Sequence, residues 1–395
     1  MLKKIRLEHL REGMYVHTLC GPWLSHDFWR TAFMVDKPSV IEKLHASPVE
    51  EVWIDTDKGL DTDSDADALN DFTPYTTPAL LSQELQRATA ICEQARDAVV
   101  SMFTEARMGG VIDTETAGTL VSAVCSSIER NPDALISVAR LKTADNYTYM
   151  HSVAVCGLMV GLARKMGMTH QQVQQAGMAG LLHDMGKART HQGILNKPGK
   201  LTDDEFAHMK QHPVHGHAML QGVIDDAAVL DACLHHHERL DGKGYPHGLK
   251  AAEITTLTRM TSICDVYDAV TSDRPYKKGW PPSIALQRMS QWCHTHLDAR
   301  IFELFVQTIG LYPVGSLVRL QSGLLGVVCA PATHSMSAPK VAAFYHVAFD
   351  RMLRPAKLLD LEKLPNERIV SIEDPSAWPF TNLESLWQKA ALLTR

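Results

Sequence analysis

The sequence predicts a mainly α-helical protein in which one large all-helical domain is flanked by small β-rich modules at its N- and C-terminal ends. Apolar residues follow a helical spacing almost throughout residues 114–312. Short segments with alternating apolar residues and turn residues precede this region within residues 1–60 and follow it from Val314. A chain of 395 residues has room for two or three domains.

The composition is that of a globular protein, with 45% apolar and 21% charged residues. A net charge of −6 gives no electrostatic reason to expect DNA or an anionic membrane as partner. No stretch approaches 18 apolar residues, so we expect no membrane span. Eight dispersed cysteines and a charged N-terminal segment, in place of the apolar run of a signal peptide, indicate a cytoplasmic location.

The N-terminal module is predicted to occupy residues 1–60. Apolar residues alternate around Met14, and the segment EVWID, at 51–55, is typical of a short strand. Seven aspartates lie between positions 55 and 71, which indicates a solvated acidic linker over residues 61–78.

Connector helices are predicted over residues 79–142. Between Ala79 and Met108 apolar residues recur in steps of four and three, which is the spacing of a coiled-coil seam. Additional apolar residues at Ile91, Ala98 and Phe103 widen the stripe and favour packing on the neighbouring domain. A homodimer through this seam remains the alternative.

The chemistry lies in the helical region, where histidines and aspartates occur in the order His, His-Asp, His, His-His, Asp. These residue types bind borderline divalent metals such as Fe, Mn or Zn, and seven of them can hold two ions. A carboxylate beside a ligand histidine is a natural bridge between two ions. The candidate ligands are His151, His183, Asp184, His212, His236, His237 and Asp265.

Two of these segments have distinctive sequences. His183 and Asp184 follow an apolar helix, so we expect them to project from it about 100° apart. His236 and His237 open the segment HHERLDGKGYP, whose glycines allow the backbone to approach a substrate closely. His235 fits a supporting or exposed position better than a ligand position, and His212 is preferred over His215 and His217 as the ligand of its segment.

Together, HDMGK and HHERLDGKGYP resemble the HD-GYP family, a branch of the HD phosphohydrolases that hydrolyses cyclic di-GMP in bacteria. The resemblance extends over about 170 residues, through NYTYMHS, ILNKPGKLTDDEFAHMKQHP and ICDVYDAVTSDRPYKK. It implies an HD-GYP catalytic domain of the all-helical HD metallohydrolase type over residues 143–312. The N-terminal segments LREGMYVHTL and KLHASPVEEVWIDTDKG resemble a small domain that often precedes HD-GYP domains. LYPVGSLVRLQSGLLGVV resembles the β segment that follows them, here residues 313–375 before a tail of residues 376–395.

The resemblance also implies how the ligands divide. One ion would be held by His151, His183, Asp184 and Asp265, and the other by His212, His236, His237 and the bridging Asp184. Family members with a third ion have a carboxylate where this chain has Tyr147. We therefore expect two divalent ions, Fe or Mn first and Zn, Mg, Ni or Co as alternatives.

The implied reaction is hydrolysis of the phosphodiester bonds of cyclic di-GMP to linear pGpG, GMP or both, with a hydroxide bridging the two ions. Lys187 could bind a phosphoryl oxygen or protonate the leaving 3′ oxygen, unless it is a plain surface lysine. By resemblance Arg274 and Lys277 would clamp the second phosphate, the alternative being a solvated pair.

Two other functions stay open on sequence alone. The chain could be a catalytically silent cyclic di-GMP sensor or protein-interaction scaffold, or an HD phosphohydrolase acting on another nucleotide. Protein partners could bind through the N-terminal module and through the loop that contains Gly244, Tyr245 and Pro246, called the GYP loop. Residues 188–192 replace an apolar stretch that is usual in the family, so substrate fit or product pattern could differ.

Overall fold

The computed structural model of the chain describes residues 2–20, 33–45, 51–61, 81–132, 134–135, 147–273, 278–332, 335, 337–380, 383 and 386. The chain forms two compact units, Met1–Tyr75 and Thr76–Arg395, which are described separately. The predicted fold class is confirmed, because the chain is mostly helical with small β-sheets near both ends.

The first unit is a small antiparallel sheet with one helix. Its strands β1 to β4 are Leu2–Arg6, Tyr15–Cys20, Phe33–Met34 and Glu51–Asp55, and helix α1 is Pro38–His45. The sheet has the order β1-β4-β2-β3. Val52 and Ile54, two residues apart on β4, are both fully buried against the other apolar residues of this unit, as strand alternation requires.

The second unit begins with the helical domain. Helices α2 to α12 are Leu81–Met108, Thr114–Arg130, Tyr147–Lys165, His170–Leu182, Gln192–Leu195, Asp203–Met209, His212–Leu220, Ala227–His235, Thr256–Thr271, Pro282–Ser290 and Ala299–Ile309. Helix α4 lies at the centre, since every residue from His151 to Ala163 is buried. Among the helices that the structure describes, none has both the length and the apolar character needed to cross a bilayer.

The apolar seam of α2 packs into the core of its own chain. From Ala88 to Ala106 the seam residues are buried in the same hydrophobic cluster as α4. At the start of α2, the buried Glu84 carboxylate accepts hydrogen bonds of 2.8 Å from Arg130 Nε and Nη2 and of 2.9 Å from Ser127 Oγ, both on α3. The described part of the seam is thus buried within the chain, as the packing alternative predicts.

A five-stranded antiparallel sheet follows the helices. Strands β5 to β9 are Leu317–Leu320, Leu324–Ala330, Lys340–His346, Arg351–Asp360 and Ile369–Ile372, in the order β8-β7-β6-β5-β9. The apolar residues between turns after Val314 predict strands at 314–320, 324–328 and 341–349, which correspond to β5, β6 and β7. The sequence did not indicate β8 and β9, because these edge strands are largely exposed and carry no clear apolar alternation.

Candidate metal centre

The helical domain brings all seven candidate ligands together in two neighbouring groups. One group is formed by His151, His183 and Asp265, and the other by Asp184, His212, His236 and His237. Within each group the donor atoms lie within 4.8 Å of one another. This is the same division that the resemblance implied.

Asp184 lies between the two groups and faces both. Its Oδ2 is 3.4 Å from Nε2 of both His151 and His183, in the first group. Its Oδ1 is 3.3 Å from His212 Nε2 and 3.9 Å from His236 Nε2, in the second group. Oδ1 is buried and accepts no hydrogen bond from the residues that the structure describes. A carboxylate with one oxygen toward each group has the arrangement of a bridging ligand.

Three of the histidines are oriented by the helical turn that precedes them. Their Nδ1 atoms lie 2.7–2.9 Å from the carbonyl oxygen three residues earlier: Gly180 for His183, Met209 for His212 and Cys233 for His236. Because a carbonyl can only accept, Nδ1 must carry the proton in each ring. Each Nε2 is therefore left with its lone pair directed at the centre, as a metal ligand requires.

His151 is oriented by a carboxylate that sequence reasoning missed. Its Nδ1 lies 2.6 Å from Asp268 Oδ2, while its Nε2 lies 3.0 Å from Asp265 Oδ1. Asp268 is buried and stands three residues after Asp265 on α10, so the two carboxylates share one helix face. That i, i+3 spacing in ICDVYDAV was the available signal.

One expectation about His183 and Asp184 was wrong. Helix α5 ends at Leu182, and a 3-10 helix, Met185–Arg189, follows. The two ligands therefore lie just beyond the end of the helix and do not project from it 100° apart. Its position four residues after His183 predicts Lys187 on the same helical face as that ligand. Instead Lys187 stands one turn from Asp184, and its Nζ donates to Asp184 Oδ2 at 2.5 Å.

The 3-10 helix and α8 approach each other closely at Gly186. A Cβ atom there would lie 1.8 Å from the His212 carbonyl oxygen and 2.4 Å from Gly216 N. Only glycine permits this distance, which sets the His183–Asp184 pair beside His212.

Charges in the centre compensate one another despite the burial. Although burial opposes it, Asp184 and Asp265 raise the pKa of His183 above its ordinary value. Against the same opposing burial, Lys187 and His183 hold the pKa of Asp184 well below its usual range, and His151 and His237 do so for Asp265.

The second group contains histidines that stay neutral. Burial, followed by the influence of His237, lowers the pKa of His236 well below its ordinary value. Burial lowers the pKa of His237 to about 3. Neutral imidazoles are the form that binds a metal ion.

The residues fit divalent cations. Two buried carboxylates, convergent imidazoles and the unpartnered Asp184 Oδ1 form an oxygen and nitrogen donor set that suits Fe, Mn or Zn. A divalent cation would supply the partner that the buried Asp184 Oδ1 lacks among the described residues.

The GYP loop covers one side of the centre. The ring of Tyr245 packs against that of His237 with centroids 4.8 Å apart. Behind the loop, the buried Glu238 carboxylate accepts three backbone N–H bonds, from His247, Gly248 and Leu249. Glycine is needed at position 244 for the packing of the loop itself, since a Cβ there would lie 2.5 Å from Glu238 Cα. Sequence reasoning did not single out Glu238.

The remaining candidates either lie outside both ligand groups or lie outside the described residues. His235 bonds to Asp231 and His247, and neither it nor His215 and His217 belongs to a ligand group. In the segment 188–192, Thr190 is buried and the His191 side chain accepts from Gly193 N at the start of α6. Arg274 and Lys277 lie outside the described residues.

Comparison with known proteins places the chain among phosphodiesterases. The family model described as HD domain matches residues 127–301, and the model described as a domain of unknown function, DUF3391, matches residues 2–117. The chain is 48% identical to the cyclic di-GMP phosphodiesterase PA4108 of Pseudomonas aeruginosa, over 100% of this chain and 97% of that protein.

More distant relatives match shorter parts of the chain. A 3′3′-cGAMP-specific phosphodiesterase 1 of Vibrio cholerae is 32% identical over 45% of this chain and 42% of that protein. Among solved structures, an HD-GYP protein of Bdellovibrio bacteriovorus, Bd1817, aligns with 78% of this chain and 99% of that chain, at 18% identity and a TM-score of 0.48.

Proposed function

Because the chain belongs to the HD-GYP family of cyclic di-GMP phosphodiesterases, we propose that it hydrolyses the phosphodiester bonds of cyclic di-GMP at a centre of two divalent metal ions. The observation that carries this proposal is the position of Asp184, whose two oxygens face two complete ligand groups.

Each group would hold one ion, with Asp184 shared. His151, His183 and Asp265 would complete one site, and His212, His236 and His237 the other. Iron or manganese suits this mixture of imidazole and carboxylate donors. Such a pair of ions supplies positive charge to the diester anion and makes the attacking water more acidic.

Lys187 is the proposed proton donor or phosphate ligand. Its ammonium donates to Asp184, which anchors it beside the centre, and its side chain retains about 20% exposure. An ammonium has three donors, so the remaining two can reach a phosphoryl oxygen or protonate the leaving 3′ oxygen. The same ammonium stabilises the ionised form of Asp184.

Arg274 and Lys277 remain proposed ligands of the second phosphate, on the resemblance alone. An arginine offers a bidentate fork to a phosphate and a lysine a point charge, so the pair suits a clamp. Linear pGpG and GMP both remain candidate end products.

A location in the cytoplasm is part of the proposal. Seven cysteines in the described part of the chain are free thiols, six of them buried. Unpaired cysteines of this kind are typical of a reducing compartment.

The alternative functions differ in measurable ways. A silent sensor or scaffold would bind cyclic di-GMP without turnover, and the complete ligand set argues against it. An enzyme for another cyclic dinucleotide has support in the relatives named 3′3′-cGAMP-specific phosphodiesterases.

The test is product analysis with the full-length protein. Purified protein is incubated with cyclic di-GMP and Mn²⁺ or anaerobic Fe²⁺, and products are separated by chromatography beside an Asp184→Ala variant. We expect pGpG or GMP from the wild type and neither from the variant. Tight binding of cyclic di-GMP without turnover under either metal would favour the sensor, and turnover of 3′,3′-cGAMP alone would reassign the substrate.

A further inference from the structure

At the exposed side of the centre, one ammonium group lies over two aromatic rings. Lys210 Nζ is 4.6 Å from the ring centroid of Phe206 and 5.9 Å from that of Tyr245. Phe206 belongs to α7 and Tyr245 to the GYP loop, so two separate elements contribute the rings. An ammonium over ring faces is held by cation–π attraction.

These side chains lead toward the metal centre. The Tyr245 ring packs on His237, whose side chain, at 24% exposure, is the most exposed of the seven ligands. At the outer end Phe206 is 47% exposed. The series Phe206, Lys210, Tyr245 and His237 thus runs from the surface to the ligand that a substrate would reach first.

Lys210 keeps its hydrogen-bond donors free. Lys187 and Lys197, by contrast, pair with the carboxylates of Asp184 and Glu205. Among the described residues, no carboxylate lies within ion-pair distance of Lys210 Nζ, whose recorded contacts are the two rings. A cation positioned in this way offers donors to a ligand beside the centre.

We infer that Phe206, Lys210 and Tyr245 form a subsite that binds a guanine base of the substrate, an inference that rests on the proposed function. Phe206, whose ring is partly exposed, supplies stacking surface for the base, and stacking accepts any base. Lys210 donates to the guanine edge that carries the O6 and N7 acceptors. Adenine presents an amino donor in place of O6, so the ammonium disfavours it.

The aromatic surroundings favour a base over a phosphate as the ligand of Lys210. A phosphate is recognised by converging donors, whereas planar rings beside one donor match a base with its acceptor edge. The phosphates also have other proposed ligands in Lys187, Arg274 and Lys277. The subsite would thus select the base and leave the chemistry to the metal centre.

The test compares Lys210→Met with the wild type, both full length and loaded with Mn²⁺. Methionine keeps an unbranched apolar stem beside Phe206 and removes the charge. We measure kcat and KM for cyclic di-GMP, the inhibition constant of cyclic di-AMP, and hydrolysis of bis(p-nitrophenyl) phosphate, a diester without a base. We expect kcat/KM for cyclic di-GMP to fall by about tenfold more than kcat/KM for the base-free diester, mostly through a higher KM.

Two further variants sharpen the result. Phe206→Leu is expected to weaken the binding of cyclic di-GMP and of cyclic di-AMP by similar factors, because stacking does not distinguish the bases. Lys363→Met is the control, since this lysine is 81% exposed on the C-terminal β-sheet module. Cyclic di-AMP should lose no affinity in Lys210→Met, so the preference for guanine should narrow.

Other outcomes overturn the inference. If Lys210→Met weakened the binding of both dinucleotides equally, the lysine would bind a phosphate. If KM for cyclic di-GMP and the inhibition constant of cyclic di-AMP were unchanged, Lys210 would be a surface lysine without a role in binding. Failure of the proposed function is separate: wild-type protein would then cleave bis(p-nitrophenyl) phosphate but not cyclic di-GMP, whatever residue stands at position 210.

Discussion

At the scale of single residues, the site depends on how each ligand is held. Asp184 faces both groups, and three histidines are fixed by carbonyl oxygens of their own preceding turn. The ligands themselves could be predicted from sequence because their motifs are local. Asp268, Glu238 and Lys210 were missed because their partners, His151, the backbone of residues 247–249 and Tyr245, are distant in sequence or belong to an irregular loop.

Asp268→Asn should weaken metal binding by the first group alone. An amide cannot match a carboxylate as acceptor for His151 Nδ1, and loss of such support typically costs about 10- to 100-fold in metal affinity. Metal affinities of the two sites are measured by calorimetric titration of metal-free protein, with the exposed Asp97→Asn as control. If both metal affinities were unchanged in Asp268→Asn, Asp268 would not support His151 as a ligand.

Metal release on acidification should occur in two steps. The pKa of His183 is raised, so protons compete for the first group already as the pH falls toward about 6.5, the ordinary value for histidine. The pKa values of His236 and His237 are lowered, so these two imidazoles stay neutral and the second group keeps its ion to lower pH. The metal content per chain is measured after dialysis at a series of pH values. Simultaneous loss of both ions, or earlier loss from the second group, would contradict this order.

At the scale of elements, the sequence predicted which segments are helical but not where helices stop. Helix α10 agrees with its apolar pattern over residues 255–271, whereas α5 ends before the ligands it was expected to carry. The apolar periodicity continues past Leu182 through Met185 and Ala188, both buried, so it could not show the change to a 3-10 helix. Tertiary contact with α8 at Gly186 determines that local geometry.

Gly186→Ala should disturb the centre through backbone contact. Its Cβ would meet the His212 carbonyl at 1.8 Å, so the 3-10 helix and α8 must separate. We expect a loss of about 2–3 kcal/mol in unfolding free energy together with weaker metal binding. Denaturant unfolding and metal titration provide the measurements.

Gly118→Ala is the matched control for that substitution. Gly118 lies inside α3, and its nearest atom to an added Cβ is Met178 Cε at 4.0 Å. Alanine there should stabilise by about 0.5–1 kcal/mol through helix propensity. Equal stability of the Gly186→Ala variant and the wild type would refute the close contact.

At the scale of the whole molecule, the sequence predicted a helical domain between two β-containing regions because periodicities of 3.6 and 2 separate them. The two compact units divide the chain after Tyr75, and the two family models cover residues 2–117 and 127–301, while the predicted domain boundaries stay predictions. The identity of 48% over the entire chain ties both parts to one phosphodiesterase relative. The homodimer and protein partners remain proposals, since they depend on other molecules.

The most direct test of the central claim is a metal titration followed by activity. Metal-free full-length protein receives increasing Mn²⁺ under anaerobic conditions, and the rate of cyclic di-GMP hydrolysis is recorded against bound ions per chain. We predict that the rate rises until two ions are bound, and that Asp184→Asn neither retains both ions nor hydrolyses cyclic di-GMP. A full rate with a single ion per chain, or hydrolysis that survives Asp184→Asn, would contradict a two-metal centre bridged by Asp184.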